Sequence, residues 1–204
     1  MPRPLILAHR GDWSESAECS LPALAAALRR PGVDGVEFDV RAARDGTPVV
    51  IHDATLLRSH RLRRRVRDLS PEELVSLGVP ALRDVLRVLP APFFLDIELK
   101  EDVGAAAMPV IAAARGDPPR DVAVSSFDAD SVAFVNRTAP AWRSWLLARR
   151  LDDGVIRRAR DAGCDGIAAR WPTLTGPGVR RAADADLELA TWTVSDPATL
   201  ARVT

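Results

Sequence analysis

The chain has 204 residues, of which 47% are hydrophobic and 27% charged, and its 28 basic residues balance 28 acidic ones. This composition excludes a long disordered chain, a collagen-like fibre and a disulfide-stapled scaffold. No apolar run reaches the roughly 18 residues of a membrane span, and zero net charge argues against general nucleic-acid binding. With only two cysteines, we expect a reduced, cytoplasmic protein without stable membrane insertion.

The predicted elements alternate between strands and helices along the chain. Apolar or alternating runs predict strands at residues 5–8, 35–40, 48–51, 93–100, 122–126, 144–147, 166–169 and 187–194. Helical spacing and capping residues predict helices between these strands, with Ser20 as an N-cap and a capping box from Ser70 to Glu73. Pro109 predicts a break or kink in the helix expected after Lys100.

The order of elements predicts an α/β fold. Apart from the short strand at 48–51, seven strand–helix units follow one another, as in a parallel sheet. A doubly wound sheet fits that count, but its Gly-rich phosphate turn is absent after the first strand. We therefore expect a TIM-type (β/α)8 barrel, in which chemistry gathers at the carboxyl ends of the strands. One domain should cover residues 1–204, with an irregular Arg-rich insertion at about 54–80.

Acidic side chains alternate with apolar ones on two predicted strands. Glu37 and Asp39 project from one face of their strand, and Asp96, Glu98 and Lys100 share a face of another. Converging carboxylates need a cation to neutralise them, and oxygen ligands favour Mg²⁺ or Ca²⁺ over zinc. The alternative is that the acids form structural salt bridges with the many arginines, and spacing does not choose between the two interpretations.

Two of the three histidines, His9 and His52, end predicted strands. A strand-end histidine is often structural, but two of them near a carboxylate cluster favour acid/base chemistry. With a metal ion and with Arg10 or Lys100, they describe a site that holds a phosphate group. Lys100 is the one lysine among the 28 basic residues, and a compact ammonium beside a phosphate is not simply replaced by a guanidinium.

A run of arginines from Arg58 to Arg67 is the strongest charge feature of the sequence. It is typical of a surface that binds an anionic partner, such as nucleic acid or a lipid surface. No aromatic residue interleaves the run, so a solvated loop is the preferred interpretation. Trp192 ends a predicted strand, where its ring is expected to line a substrate pocket, and the two cysteines are expected to be packing residues.

Eight short elements, in the family's order, resemble the glycerophosphodiester phosphodiesterase family over nearly the whole chain, from Leu5 to about Val203. They are His9-Arg10-Gly11, Ala17-Glu18-Cys19-Ser20-Leu21, Gly35-Val36-Glu37-Phe38-Asp39-Val40, Asp45-Gly46-Thr47-Pro48-Val49-Val50-Ile51-His52-Asp53, Val79-Pro80-Ala81-Leu82-Arg83-Asp84-Val85-Leu86, Ile97-Glu98-Leu99-Lys100, Ser125-Ser126-Phe127 and Thr191-Trp192-Thr193-Val194. Each element alone is a weak signal, whereas eight in order are specific.

The resemblance implies a single catalytic barrel domain that hydrolyses glycerophosphodiesters to an alcohol and glycerol 3-phosphate. By the family pattern, His9 and His52 are the acid/base pair. Glu37, Asp39 and Glu98 then bind the metal ion, Mg²⁺ or Ca²⁺. The implied partner is a small-molecule substrate, and neither a nucleic acid nor a particular oligomeric state is implied.

The resemblance also implies roles in substrate binding. Arg10 and Lys100 contact the phosphate, Glu18 supports the site, and Trp192 lines the glycerol pocket. One departure lies in the first loop, where Cys19 replaces the family's asparagine. A second lies after the second histidine, where the family's Thr-Thr-Gly turn is missing.

The end of the sequence departs most from the family pattern. Relatives continue from the Trp-Thr-Val strand through a helix to an eighth strand, whereas this sequence stops within that helix. We therefore expect a barrel without its eighth strand and final helix. Either the sequence is truncated, or another element or chain covers the open seam.

Two other functions remain open at this stage. One is a phospholipase-D-like lyase that acts on a larger lipid headgroup and releases a cyclic phosphate. The other is a non-catalytic protein that binds anions through the arginine run.

Overall fold

The computed structural model describes residues 3–203. Contacts divide the chain into two compact units. The first unit is Leu5–Ala123, and the second is Val124–Thr204 together with Met1–Pro4. A single domain over residues 1–204 stays a prediction.

The first unit alternates strands with helices. Its strands are β1 (Leu7–His9), β2 (Gly35–Ala42), β3 (Pro48–Val50), β4 (Phe94–Leu99) and the start of β5 (Val122–Ser126). Its helices are α1 (Leu21–Ala27), α2 (Leu57–His60), α3 (Pro71–Ser76), α4 (Leu82–Val88) and α5 (Gly104–Arg115), with a 3-10 turn at Val66–Asp68.

Strand β2 lies at the centre of the first unit. It pairs in parallel with β1, where His9 lies beside Glu37, and with β4, where Asp39 lies beside Glu98. Strand β3 folds back and pairs antiparallel with β2, with Val40 opposite Val50. This register therefore places polar residues of β1, β2 and β4 at neighbouring positions, together with the polar residues that follow β3.

The loop between β1 and α1 depends on one glycine. Gly11 has a φ of +87°, and a Cβ there would lie 2.7 Å from the Ala23 carbonyl, closer than atoms tolerate. Helix α1 then begins with Ser20 as its N-cap, whose side chain accepts a hydrogen bond from the Ala23 amide, as predicted. This close approach fixes the loop that carries Arg10 and Glu18.

Helices α3 and α5 show how local signals and packing combine. The predicted capping box is present at α3, where Ser70 and Glu73 satisfy each other's backbone amides. Helix α5 continues without a break through Pro109, contrary to the break considered from the sequence. Its residues Ala107, Met108 and Ile111 are buried, and this packing stabilises the turn that a proline weakens.

The second unit repeats the alternation. Its elements are the remainder of β5, α6 (Ala129–Thr138), β6 (Ser144–Ala148), α7 (Asp153–Asp161), β7 (Gly166–Arg170), a 3-10 turn (Trp171–Thr173), α8 (Gly176–Asp184), β8 (Glu188–Trp192) and α9 (Pro197–Val203). Strands β5 to β8 pair in parallel in chain order. Buried apolar residues from both strands and helices form its core, including Leu146, Ile167 and Ala182.

Parallel strands that alternate with helices confirm the predicted α/β fold of the TIM-barrel type. The expected lack of an eighth strand is corrected, because eight strands are present among residues 3–203. One of the eight is the short strand predicted at 48–51, which joins β2 as an antiparallel neighbour. Among the described residues, no helix is both long and apolar enough to cross a membrane.

Candidate active site

Three carboxylates converge where β2 and β4 lie side by side. One ligand atom from each of Glu37, Asp39 and Glu98 lies within 4.8 Å of the others. Asp39 is fully buried and Glu98 nearly so, while Glu37 is partly accessible. The alternation of each strand and the pairing of Asp39 with Glu98 produce this cluster, as the spacing in the sequence predicted.

The cluster carries more negative charge than its surroundings favour. Burial, followed by the neighbouring carboxylates, raises the pKa of Glu37 well above its usual range. Burial and the charge of Asp39 raise the pKa of Glu98 to about 7, although Lys100 opposes the shift. Glu37 Oε2 and Asp39 Oδ1 are buried and accept no hydrogen bond. Buried oxygens of this kind fit a hard divalent cation such as Mg²⁺ or Ca²⁺.

Two basic side chains already lie against the cluster. Lys100 Nζ is 2.7 Å from Glu98 Oε1 and 3.4 Å from Asp39 Oδ1. Arg10 Nε is 3.1 Å from Asp39 Oδ2. The backbone of Arg10 has a φ of +60°, which is uncommon for a residue other than glycine. Both residues predicted to contact phosphate therefore lie beside the predicted metal ligands.

His9 lies at the end of β1, next to the cluster. Its Nε2 is 3.7 Å from Glu37 Oε2, and its side chain is 37% exposed. Burial, followed by the positive charge of Arg10, lowers the pKa of His9 to about 4. The ring is thus neutral near pH 7 and open to a reacting molecule on one side.

His52 reaches the same region through the antiparallel hairpin of β2 and β3. The Ile51 amide donates a hydrogen bond to the Asp39 carbonyl at 2.9 Å, which extends the ladder to the residue before His52. His52 Nδ1 lies 2.6 Å from Asp53 Oδ1, and Arg41 Nε donates to the His52 carbonyl at 2.8 Å. A carboxylate bound to one ring nitrogen orients the ring and leaves Nε2 for chemistry.

Arg58 joins two sides of the site, which the sequence analysis did not predict. Its guanidinium donates to Asp53 Oδ2 at 2.5 Å and also to Glu18 Oε1. Glu18 in turn accepts from Arg10 Nη1 at 3.2 and 3.3 Å. Burial alone would raise the pKa of Glu18, but the guanidiniums of Arg58 and Arg10 lower it. Burial opposes the shift of Asp53 in the same way, but Arg58 and His52 lower the pKa of that carboxyl. Within a run of similar arginines, only the spatial contacts distinguish Arg58.

Cys19 lies beside the cluster, although the sequence analysis interpreted it as a packing residue. Its thiol is buried and lies 3.8 Å from Asp39 Oδ2, at the distance of a weak S–H donor. Burial, with the charges of Asp39 and Glu37, raises the pKa of this thiol well above its usual range. Cys19 therefore packs as a neutral thiol against Asp39.

Trp192 belongs to the second unit, where it ends β8. Its indole Nε1 donates to the Ala168 carbonyl at 2.9 Å, and its ring meets Phe127 edge-on, with centroids 5.6 Å apart. These contacts hold the ring in a defined orientation. Its predicted place in a glycerol pocket stays a prediction.

Known proteins resemble this chain in sequence over most of its length. At 30% identity over 192 residues, the chain is similar to the uncharacterized protein YqiK of Bacillus subtilis, with 85% of this chain and 77% of YqiK covered. It is 29% identical to a glycerophosphodiester phosphodiesterase of Caldanaerobacter subterraneus subsp. tengcongensis, with 71% of this chain and 67% of that protein covered.

A solved structure shares the fold. It is an Oleispira antarctica phosphodiesterase in complex with the product sn-glycerol-3-phosphate, with a TM-score of 0.86 and 21% identity over 98% of this chain and 88% of that one. The model of the glycerophosphoryl diester phosphodiesterase family matches residues 9–204. The chain therefore belongs to the glycerophosphoryl diester phosphodiesterase family.

Proposed function

We propose that this protein is a metal-dependent phosphodiesterase that hydrolyses glycerophosphodiesters to an alcohol and glycerol 3-phosphate. The observation that carries this proposal is the convergence of Glu37, Asp39 and Glu98 beside His9, where the buried oxygens Glu37 Oε2 and Asp39 Oδ1 accept no hydrogen bond. Membership of the family supports the same conclusion. A cytoplasmic location stays a prediction that rests on the cysteine content.

The residues divide into those that hold a metal ion and those that hold the phosphate. Glu37, Asp39 and Glu98 would bind Mg²⁺ or Ca²⁺, and the bound ion would supply positive charge that stabilises the phosphoryl oxygens in the transition state. Arg10 and Lys100 lie against the same carboxylates and hold the phosphate by charge-assisted hydrogen bonds. Their position beside the proposed metal ligands supports a substrate phosphate at the edge of the cluster.

Proton transfer is assigned to the two histidines. One of His9 and His52 removes a proton from the nucleophile, which is a water molecule or a glycerol hydroxyl, and the other protonates the leaving alcohol oxygen. Asp53 orients the His52 ring through Nδ1. Glu18 holds Arg10, and Trp192 is assigned to the glycerol pocket.

The purified protein should release glycerol 3-phosphate from glycerophosphocholine or glycerophosphoethanolamine when Mg²⁺ or Ca²⁺ is present. EDTA should abolish the release, and the active ion should restore it, because the clustered carboxylates need a cation. An enzyme-coupled assay for glycerol 3-phosphate measures the reaction, and phosphorus NMR identifies the product. Turnover that EDTA does not affect would refute the metal site, and a cyclic phosphate as the final product would favour the lyase.

Arg58→Ala should lower kcat by about 10- to 100-fold, because the change frees Asp53 and Glu18 and thereby loosens His52 and Arg10. Stability should change by less than about 1 kcal/mol, because the Arg58 side chain is 54% exposed. Steady-state kinetics and thermal unfolding measure the two effects separately. Arg58→Lys, which reaches one carboxylate at a time, should recover part of kcat.

The matched control for this prediction is Arg63→Ala, which removes the same charge at an exposed position of the same segment. It should leave kcat within a factor of about two. Equal losses for the two alanine variants would show that the charge of the segment, and not the position of Arg58, matters.

A further inference from the structure

The structure divides the arginine run into side chains with different surroundings. Arg58 bridges carboxylates of the candidate active site, and Arg64 lies 3.2 Å from Glu73 Oε1. Arg65 and Arg67 instead line a cavity of about 210 Å³. This cavity is not lined by the proposed catalytic or metal-binding side chains. The arginines of the run therefore differ in their surroundings, which a uniformly solvated loop does not explain.

The cavity carries an excess of positive charge. Three arginines, Arg41, Arg65 and Arg67, and one carboxylate, Glu101, line it. Glu101 Oε2 lies 2.9 Å from Arg41 Nη1, so these two charges offset each other. Within residues 3–203, no carboxylate is recorded at ion-pair distance from the guanidinium of Arg65 or Arg67. Two positive charges therefore face the cavity without a protein counterion.

The wall that carries these two arginines is fixed to the fold. The Val66 amide donates to the Ala54 carbonyl at 3.0 Å, and Thr55 and Arg65 form an antiparallel bridge. Val66 itself is buried in a hydrophobic cluster with Leu56 and Leu69. Arg65 and Arg67 flank this anchored residue, so they project from a supported wall and not from a free loop.

We propose that this cavity binds a phosphate group. Guanidinium groups match phosphate oxygens through paired hydrogen bonds, and this volume lies below the range of about 300–1,000 Å³ that holds drug-sized ligands. The phosphate group comes either from free inorganic phosphate or from a second phosphoryl group on a substrate. The proposal does not depend on the proposed hydrolysis, since binding can be measured without turnover.

The position of the cavity connects it to the second predicted catalytic histidine. Arg41 follows Asp39 by two residues on β2, about 7 Å along the strand. Its guanidinium also donates to the His52 carbonyl at 2.8 Å. An anion that draws Arg41 away from Glu101 therefore acts on a group that holds the His52 main chain.

Isothermal titration of the full chain with inorganic phosphate, in EDTA, tests the binding directly. The wild type should bind phosphate, and the double variant Arg65→Gln with Arg67→Gln should bind it at least roughly tenfold more weakly. The control is Arg61→Gln with Arg63→Gln, which removes the same charge from exposed positions of the same segment and should bind like the wild type. Thermal unfolding verifies that all three proteins are folded.

Absence of phosphate binding by the folded wild type would overturn the proposal. Equal weakening in the two double variants would also overturn it, because general charge would then explain the binding. Unchanged phosphate binding by the Arg65/Arg67 double variant would overturn the proposal as well.

Kinetics then identify the source of the phosphate group. A KM raised roughly tenfold in the Arg65/Arg67 variant, only for a glycerophosphodiester that bears a second phosphate, would support a substrate group as the source. An unchanged KM for both diesters, together with lost phosphate binding, would support free phosphate.

Discussion

His52→Ala should lower kcat for diester hydrolysis by about 10²–10⁴-fold, the usual contribution of a general acid or base. The physical reason is the position of the ring, which Asp53 orients at 2.6 Å and which the β2–β3 hairpin holds beside the carboxylate cluster. The imidazole is partly exposed, so its removal leaves no large cavity. Release of glycerol 3-phosphate under saturating substrate measures the effect, and circular dichroism verifies the fold.

His60→Ala is the matched control for this prediction. His60 ends α2, its side chain is partly exposed, and its Nδ1 lies 2.7 Å from Ser59 Oγ. Near-normal turnover is expected, because within residues 3–203 this ring bonds to Ser59 and to none of the three clustered carboxylates. If His52→Ala were as active as His60→Ala, the acid/base assignment would be wrong.

A second substrate separates the roles of the two histidines. A p-nitrophenyl diester of glycerol phosphate has a leaving group that needs no proton. The variant that lacks the general acid, either His9→Ala or His52→Ala, should lose much less activity with this substrate than with glycerophosphocholine. The variant that lacks the general base should lose activity by a similar factor with both substrates.

Glu37→Gln should abolish metal-dependent turnover and yet give a metal-free protein that is at least as stable as the wild type. A carboxyl group whose pKa is raised by folding destabilises the folded state as the pH rises above the ordinary value of that group. Burial and neighbouring carboxylates raise the pKa of Glu37 in this way, and a glutamine has no such charge to bury. We therefore expect the variant to gain stability relative to the wild type as the pH rises from the ordinary titration range of a glutamate towards pH 8.

Thermal unfolding in EDTA, and again with Mg²⁺ or Ca²⁺, tests both parts of this prediction. The wild type should be stabilised by the metal ion, because an ion that binds only the folded state shifts the unfolding equilibrium. The variant should lose most of that stabilisation. Glu15→Gln makes the same chemical change at an exposed position and should behave like the wild type. A Glu37→Gln protein that is strongly destabilised in EDTA, or that retains metal-dependent turnover, would contradict the prediction.

The carboxylate cluster could be predicted largely because it follows from local rules. Side chains two residues apart on a strand share a face, so Glu37 and Asp39 had to project together once β2 was recognised. The parallel pairing of β2 with β4 then brought Glu98 next to Asp39. Strand alternation is a strong constraint, so the spacing predicted which side chains share a face. The choice of Glu37, Asp39 and Glu98 as metal ligands came from the family resemblance, because spacing alone also allowed structural salt bridges.

The remainder depends on contacts between distant segments. The direction of β3 follows from its pairing with β2, and the sequence analysis set this strand aside because it interrupts the strand–helix rhythm. Arg58 resembles its neighbours until its contacts with Asp53 and Glu18 are seen. Pro109 was expected to disturb a helix that the packing of its apolar face keeps continuous. In each case tertiary contacts outweigh a local preference.

The β2–β3 hairpin has a consequence for how this enzyme family can diversify. Asp39 and His52 are joined by a short, regularly paired ribbon, whose register is set by its own turn at Gly46. Changes of length or composition after Asp53 can therefore leave the backbone path from Asp39 to His52 in place, provided that Arg58 keeps its contacts with Asp53 and Glu18. The hairpin thus separates the proposed catalytic positions from the exposed part of the neighbouring segment, such as Arg61 and Arg63, where substitutions are least constrained by the site.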